Sequence, residues 1–232
     1  SGICSKPDTR MLVDIGTNGE IALWHRGQLS CCSTAAGPAF EGAGLSMGMA
    51  GKTGAVDHVR VQDGALQAHV IGGGAPKGIC GSGVIDALAC LVELEQLDET
   101  GLLEQDPAPV APPVCLTQKD VRMVQLAKSA ICAGLSTLLR VEGLCGADAA
   151  ELAVAGGFGS YLDVDSAGRI GLLPEELVPR VRVLGNAALS GAAMLLLNRG
   201  FIPRSEALAA GARTVDLSTS AEFMNAYTEG MF

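Results

Sequence analysis

Residues 11–20 read Met-Leu-Val-Asp-Ile-Gly-Thr-Asn-Gly-Glu: an apolar strand ends on Asp14 and turns through Gly16, Thr17, Asn18 and Gly19 into a second strand that opens with Glu20. That order commits the start of the fold to an antiparallel hairpin. The Asn18-Gly19 pair favours the positive backbone angles of a tight turn. Glycines also let successive N–H groups converge on an anion without side chains in the way. Asp14, at the strand end, is then placed to face a metal ion or its bound waters. The same residues are equally readable as an ordinary surface hairpin. Short apolar runs at 21–24 and 28–32 add two more strands and give a three-stranded meander.

Beyond the meander, 33–54 is rich in Gly, Ala and Met and has no clear period. Alternation at 56–61 and 66–71 predicts two strands joined by a turn through Asp63 and Gly64. Gly78-Ile-Cys-Gly-Ser-Gly83 then opens a helix over 84–97. Residues 106–113 hold four prolines and predict a semi-rigid surface connection rather than a helix or central strand. Thr117 with Asp120 three residues on is a helix start, and the apolar pattern that follows runs to about residue 142. A buried strand at 152–155 leads into Gly156-Gly-Phe-Gly159. Another strand at 181–184 breaks at Gly185-Asn186 before an Ala-rich helix to 198, with weaker helices at 205–211 and 220–227. Strands alternating with helices after a meander predict an α/β fold, a mixed sheet with helices packed on it. Residues 1–10 are polar and aperiodic, and read as a linker or a leftover end outside a domain of 11–232.

Composition narrows the partners. Aromatic residues are 3% and the formal charge is −9, so the chain lacks both the stacking surface and the basic field of a nucleic-acid binder. The longest apolar run, 187–197, is too short to span a bilayer, and no signal peptide is evident, so no membrane partner is expected. The eight cysteines contain no C-x-x-C and suit a reduced, cytoplasmic protein in which thiols pack as small hydrophobes.

Three glycine clusters are candidate ligand sites. The first is the Asp14–Glu20 turn. In the second, Leu152 to Gly159, glycines would let a flat ring lie against backbone, unless they serve close strand packing. It is not a dinucleotide fingerprint, because Leu162 stands where a third glycine belongs. The third is 78–83, an anion-friendly or merely glycine-rich helix entry. Ser46-Met-Gly-Met-Ala-Gly-Lys-Thr53 ends like a P-loop, but Ser46 takes the first glycine's place and no strand runs directly into it, so Lys52 reads as a solvated loop lysine. Asp163 and Asp165 lack the further oxygen ligands of a calcium loop and read as turn residues. His25, His58 and His69 show no ligand spacing and read as structural or solvated.

Six segments in order resemble one family: 14–20, Cys32-Ser-Thr-Ala-Ala-Gly-Pro-Ala-Phe-Glu-Gly42, 78–83, Leu116-Thr-Gln-Lys-Asp-Val-Arg122, Ala155-Gly-Gly-Phe-Gly159 and Gly185-Asn-Ala-Ala188. Together they are similar to the C-terminal part of reductive activators of corrinoid proteins, in the actin, Hsp70 and sugar-kinase superfamily of ATPases. The resemblance implies an actin-like, ribonuclease H-like lobe binding ATP with Mg2+. In it Asp14 and Glu20 would be the catalytic pair, with Asp14 holding Mg2+ through water. Gly16, Thr17, Asn18 and Gly19, with Gly81, Ser82 and Gly83, and Gly156, Gly157, Phe158 and Gly159, would contact nucleotide. It further implies a corrinoid protein as partner and a [2Fe-2S] or other iron–sulfur cluster in a segment outside this chain. A first phosphate lobe is absent from the 232 residues, so the chain reads as half of an ATPase. A docking module without catalysis, a small-molecule kinase on the same scaffold, and a homodimer all remain open.

Overall fold

A computed structural model describes residues 1–157 and 161–231. Its centre is a six-stranded sheet. Strands β1 (Arg10–Ile15), β2 (Gly19–His25) and β3 (Gln28–Thr34) form the expected antiparallel meander. An inserted unit follows: β4 (Ala55–Gln62), β5 (Ala65–Val70), β6 (Gly78–Ile79), helix α1 (Gly81–Glu93), β7 (Ala108–Ala111) and β8 (Val114–Leu116). The chain returns through helix α2 (Gln118–Val141) to β9 (Glu151–Ala155), α3 (Val164–Arg169), β10 (Val181–Gly185), α4 (Ala187–Leu197), α5 (Phe201–Gly211), β11 (Arg213–Thr214) and α6 (Ala221–Glu229). The main sheet runs β10-β9-β1-β2-β3-β11, with β1, β9 and β10 parallel, and a smaller sheet runs β5-β4-β6. The architecture is the expected α/β one, a mixed sheet with helices on it.

Alternation in β1 sends Met11, Val13 and Ile15 to one face, all at most 1% exposed, in the same buried core as Ile131, Leu135 and Leu138 of α2. Helix α2 starts at a full capping box: the Thr117 hydroxyl accepts from the Asp120 N–H, and Asp120 accepts from the Thr117 N–H at 2.8 Å. Asp120 also accepts from the Ser46 N–H at 2.7 Å, so one buried carboxylate ties the helix start to the segment between β3 and β4.

Four expectations need correction. Residues 1–10 are not a detached linker: Ile3 is 4% exposed, the Trp24 indole donates to the Lys6 carbonyl, and Arg10 begins β1. The proline-rich stretch pairs as an edge ribbon, β7 with β8, and buries Ala108 and Val110, because two-stranded edges tolerate residues that cannot donate. Asp163 is the N-cap of α3, its carboxylate accepting from the Ser166 N–H at 2.8 Å. Neither Asn18 nor Gly19 has a positive φ; that geometry falls at Arg26 (φ 49) and Gly27 (φ 84), the two-residue loop closing β2 onto β3. Lys52 is exposed, as expected. Helices α4 and α5 bury no residue, and Leu196 and Leu197 are 85% and 88% exposed.

Candidate nucleotide site

Strands β1, β9 and β10 run parallel, so their C-terminal ends share one edge of the sheet, the edge where open α/β sheets hold ligands. Register places Asp14 beside Ala155 and Ala155 beside Gly185. The Gly156 N–H donates to the Gly185 carbonyl at 3.0 Å, locking the three strand ends together. Gly156 has φ 115, and a Cβ there would lie 2.3 Å from the Ile15 carbonyl oxygen, so only glycine lets the β9 loop approach the end of β1. Gly157 has nothing among the described residues within 4 Å of where its Cβ would stand. The first two glycine clusters are therefore neighbours at one edge. Phe158 and Gly159 lie outside the described residues.

The β1–β2 turn is braced rather than free. The Gly16 N–H donates to the Asn18 carbonyl at 2.9 Å, the Gly37 N–H donates to the Thr17 carbonyl at 2.8 Å, and the Thr17 hydroxyl donates to Glu41 Oε1 at 3.1 Å. Gly16 therefore spends its N–H inside the turn, whereas the N–H groups of Thr17 and Asn18 have no acceptor among the described residues. Thr17, Asn18 and Glu20 are exposed. Gly19 is explained by packing: a Cβ would come within 2.2 Å of Ile131 Cδ1, on the core side.

Asp14 and Glu20 are direct cross-strand partners, so both carboxylates stand on the same face of the sheet, away from α2. Like charges in that relation destabilise a hairpin unless a cation intervenes. Burial pushes the Asp14 carboxyl above the usual carboxylate range, and no donor or cation among the described residues offsets it. Two carboxylates at a wet strand end are the oxygen ligands a hard divalent ion takes. Among the described residues no three His, Cys, Asp or Glu side chains converge on a metal site. One or two carboxylates are what Mg2+ takes from a protein, since it keeps several waters and draws its other ligands from phosphate, and the pair meets that requirement.

The third cluster sits elsewhere. Gly81, Ser82 and Gly83 are buried in the first turn of α1. The Ser82 hydroxyl donates to the Asp57 carbonyl at 2.9 Å, and a Cβ on Gly83 would meet the Val56 carbonyl oxygen at 2.3 Å. These residues join α1 to β4, and among the described residues no hydrogen bond links them to the turn. Glu41 is the site residue that residue-level reading missed; its signal was its place inside the 32–42 motif, which carried no assigned role.

A meander with parallel strands on one side, and a phosphate-sized turn beside a glycine loop, define a ribonuclease H-like lobe of the actin type. The family model described as the C-terminal domain of RACo, the ASKHA domain, matches residues 8–232, and the chain belongs to this family. It is 39% identical over 247 residues to the corrinoid activation enzyme RamQ of Eubacterium limosum, covering 94% of this chain and 42% of that protein. It is 30% identical over 216 residues to the [Co(II) methylated amine-specific corrinoid protein] reductase of Methanosarcina barkeri, covering 84% and 40%. A solved reductive activator for corrinoid, iron-sulfur protein superposes with a TM-score of 0.91 at 31% identity, covering 100% of this chain and 40% of that one. The chain thus spans about two fifths of the length of these relatives. No helix among the described residues is long and apolar enough to cross a membrane.

Proposed function

We propose that this chain is the nucleotide-binding C-terminal half of an ATP-dependent reductive activator that returns an inactive cobalt(II) corrinoid protein to cobalt(I). The observation that carries the reading is the meeting of the Asp14–Glu20 carboxylate pair, the open N–H groups of Thr17 and Asn18, and Gly156-Gly157 at one sheet edge. Thr17 and Asn18 bind phosphate, Gly157 backs the nucleoside, and Asp14 orients Mg2+ through its waters, with Glu20 and Glu41 fixing the surrounding water. Magnesium neutralises charge on the transferring phosphoryl group, and the protein's part is positioning and electrostatics. One electron from an iron–sulfur cluster in a portion outside these residues reduces Co(II) to Co(I), and nucleotide supplies the conformational drive. The uncovered leucines of α4 support a further lobe lying against this one, since large exposed apolar patches mark interaction surfaces. Isothermal titration of the chain with Mg-ATP, repeated with Asp14→Asn, tests the site. Saturable binding lost in Asp14→Asn is expected. Absence of binding to both this chain and an activator-length protein overturns the reading.

A further inference from the structure

The three histidines have no ligand spacing in sequence, but the fold pairs two of them. In the β4–β5 hairpin His58 stands directly opposite His69, and a bulge between Val56 and His58 inserts Asp57 beside them. Directly opposed residues share a face, with Cβ atoms about 4.5–5.5 Å apart. Both histidines line one groove of about 480 Å³, together with Arg60, Gln62, Gln67 and Ala68. Each ring is held through Nδ1: that of His58 lies 2.9 Å from Asp86 Oδ2, in a second groove that His58 also lines, and that of His69 lies 2.5 Å from Asp57 Oδ1. The two carboxylates are the less exposed members, with side chains 4% and 14% accessible against 34% and 67% for the rings.

A carboxylate accepting from Nδ1–H fixes the tautomer that leaves the Nε2 lone pair free, the arrangement that metal-ligating histidines use. Its occurrence twice, on cross-strand partners facing one groove, is more than either ring needs for packing, since both rings are solvent-accessible. We propose that His58 and His69 form a two-histidine site for a late first-row divalent ion such as Ni2+, Cu2+ or Zn2+, bound through the two Nε2 atoms. Imidazole suits these ions, and carboxylate-and-water sites such as that at Asp14 suit Mg2+. Solvent completes the coordination, because no third ligand converges among the described residues. Arg60, on the same face two residues from His58, has no acidic partner among the described ion pairs and favours an anion as the added ligand. The site lies in the inserted unit and stands independently of the nucleotide reading.

The test is calorimetric titration of the 232-residue chain with Ni2+. It is repeated on His58→Ala, His69→Ala and Asp57→Asn, with His25→Ala and Cys145→Ser as controls and circular dichroism to confirm each fold. One equivalent per chain is expected, weakened at least about 10-fold by either alanine and about 10–100-fold by Asp57→Asn, and unchanged in both controls. Cu2+ should also broaden the ring resonances of His58 and His69 and leave those of His25. Binding that survives both alanines, follows Cys145 or His25, or is absent from the wild type overturns the proposal.

Discussion

Gly156 and Gly157 are chemically identical neighbours, and the structure gives them opposite jobs. In Gly156→Ala the new Cβ must sit at φ 115, 2.3 Å from the Ile15 carbonyl oxygen, where ordinary contact begins at 3.4 Å. Strained backbone of this kind costs about 1–3 kcal/mol. Forcing extra atoms against a fixed carbonyl costs about 1–3 kcal/mol more, since β1 is held on both sides by β2 and β9. With a sum near 4 kcal/mol, and about 2–4 °C per kcal/mol in a domain of this size, the melting temperature should fall by about 8–16 °C. Gly157→Ala meets nothing among the described residues within 4 Å and has no positive φ, so its stability should stay within about 0.5 kcal/mol of wild type. The assay is thermal unfolding by circular dichroism, with and without Mg-ATP. At 100 times the Kd, nucleotide should add about 2.7 kcal/mol, a rise of about 5–11 °C in the wild type. Gly157→Ala should lose much of that rise, because its methyl group enters the space that backs the nucleoside. A Gly156→Ala protein that melts with the wild type would refute the packing argument. A Gly157→Ala protein that keeps the full nucleotide shift would refute the assignment of the open side to ligand.

Three further outcomes follow from other positions. Gly19→Ala should cost about 1–3 kcal/mol by overpacking, and Ile131→Val, which removes the Cδ1 atom lying 2.2 Å from the new methyl, should restore most of it in the double variant; additive losses in urea titrations would show that the crowding lies elsewhere. Asp14 has its folded-state pKa raised by burial, so its ionised form costs stability above that pKa and the cost vanishes as pH falls through it. Asp14→Asn should therefore melt higher than wild type at neutral pH without nucleotide, lose the Mg2+-dependent shift, and converge with wild type in acid; a lower melting point at neutral pH would contradict this. Glu151 bonds Arg182 at 2.6 Å and Arg10 at 2.8 Å, and these cations, Arg182 foremost, hold it below the usual carboxylate range. A depressed folded pKa gives stability that is complete above the unfolded value of about 4.3 and lost as pH falls through the folded one. Glu151→Gln should flatten that acid limb of the urea midpoint against pH, and an unchanged limb would remove the ion pairs from the account.

The features legible in sequence were those whose cause is local. Alternation placed β4 and β5, and short apolar runs bounded by turn residues placed β1 to β3, β9 and β10, because burial writes itself into consecutive residues of a strand. Thr117 and Asp120 announced α2 because a capping box closes within four residues. The cross-strand pairing of Asp14 with Glu20 was legible because a turn short enough to read as a motif also sets their register. The two-residue strands β6 and β11 were missed, since neither carries enough residues to show a period.

The glycines mark where local reading stops. A glycine is selected by whatever would collide with its missing Cβ, and that atom usually belongs to a distant segment. Gly19 answers to Ile131, Gly134 to Ile21 and Thr34, Gly83 to Val56, and Gly156 to Ile15. None of those distances is written in the neighbouring residues, so a glycine run read in sequence does not say whether packing or a ligand selected it. Once each glycine is assigned to its partner, the ones with no partner stand out. Gly157 is one of several with none among the described residues, and Gly16 has only ordinary contacts at 3.7 Å, to Asn18 and Glu41. Both lie at the ends of adjacent parallel strands, on either side of Asp14. Packing among the described residues does not require a missing side chain at either place, which is what the proposed access by a ligand needs.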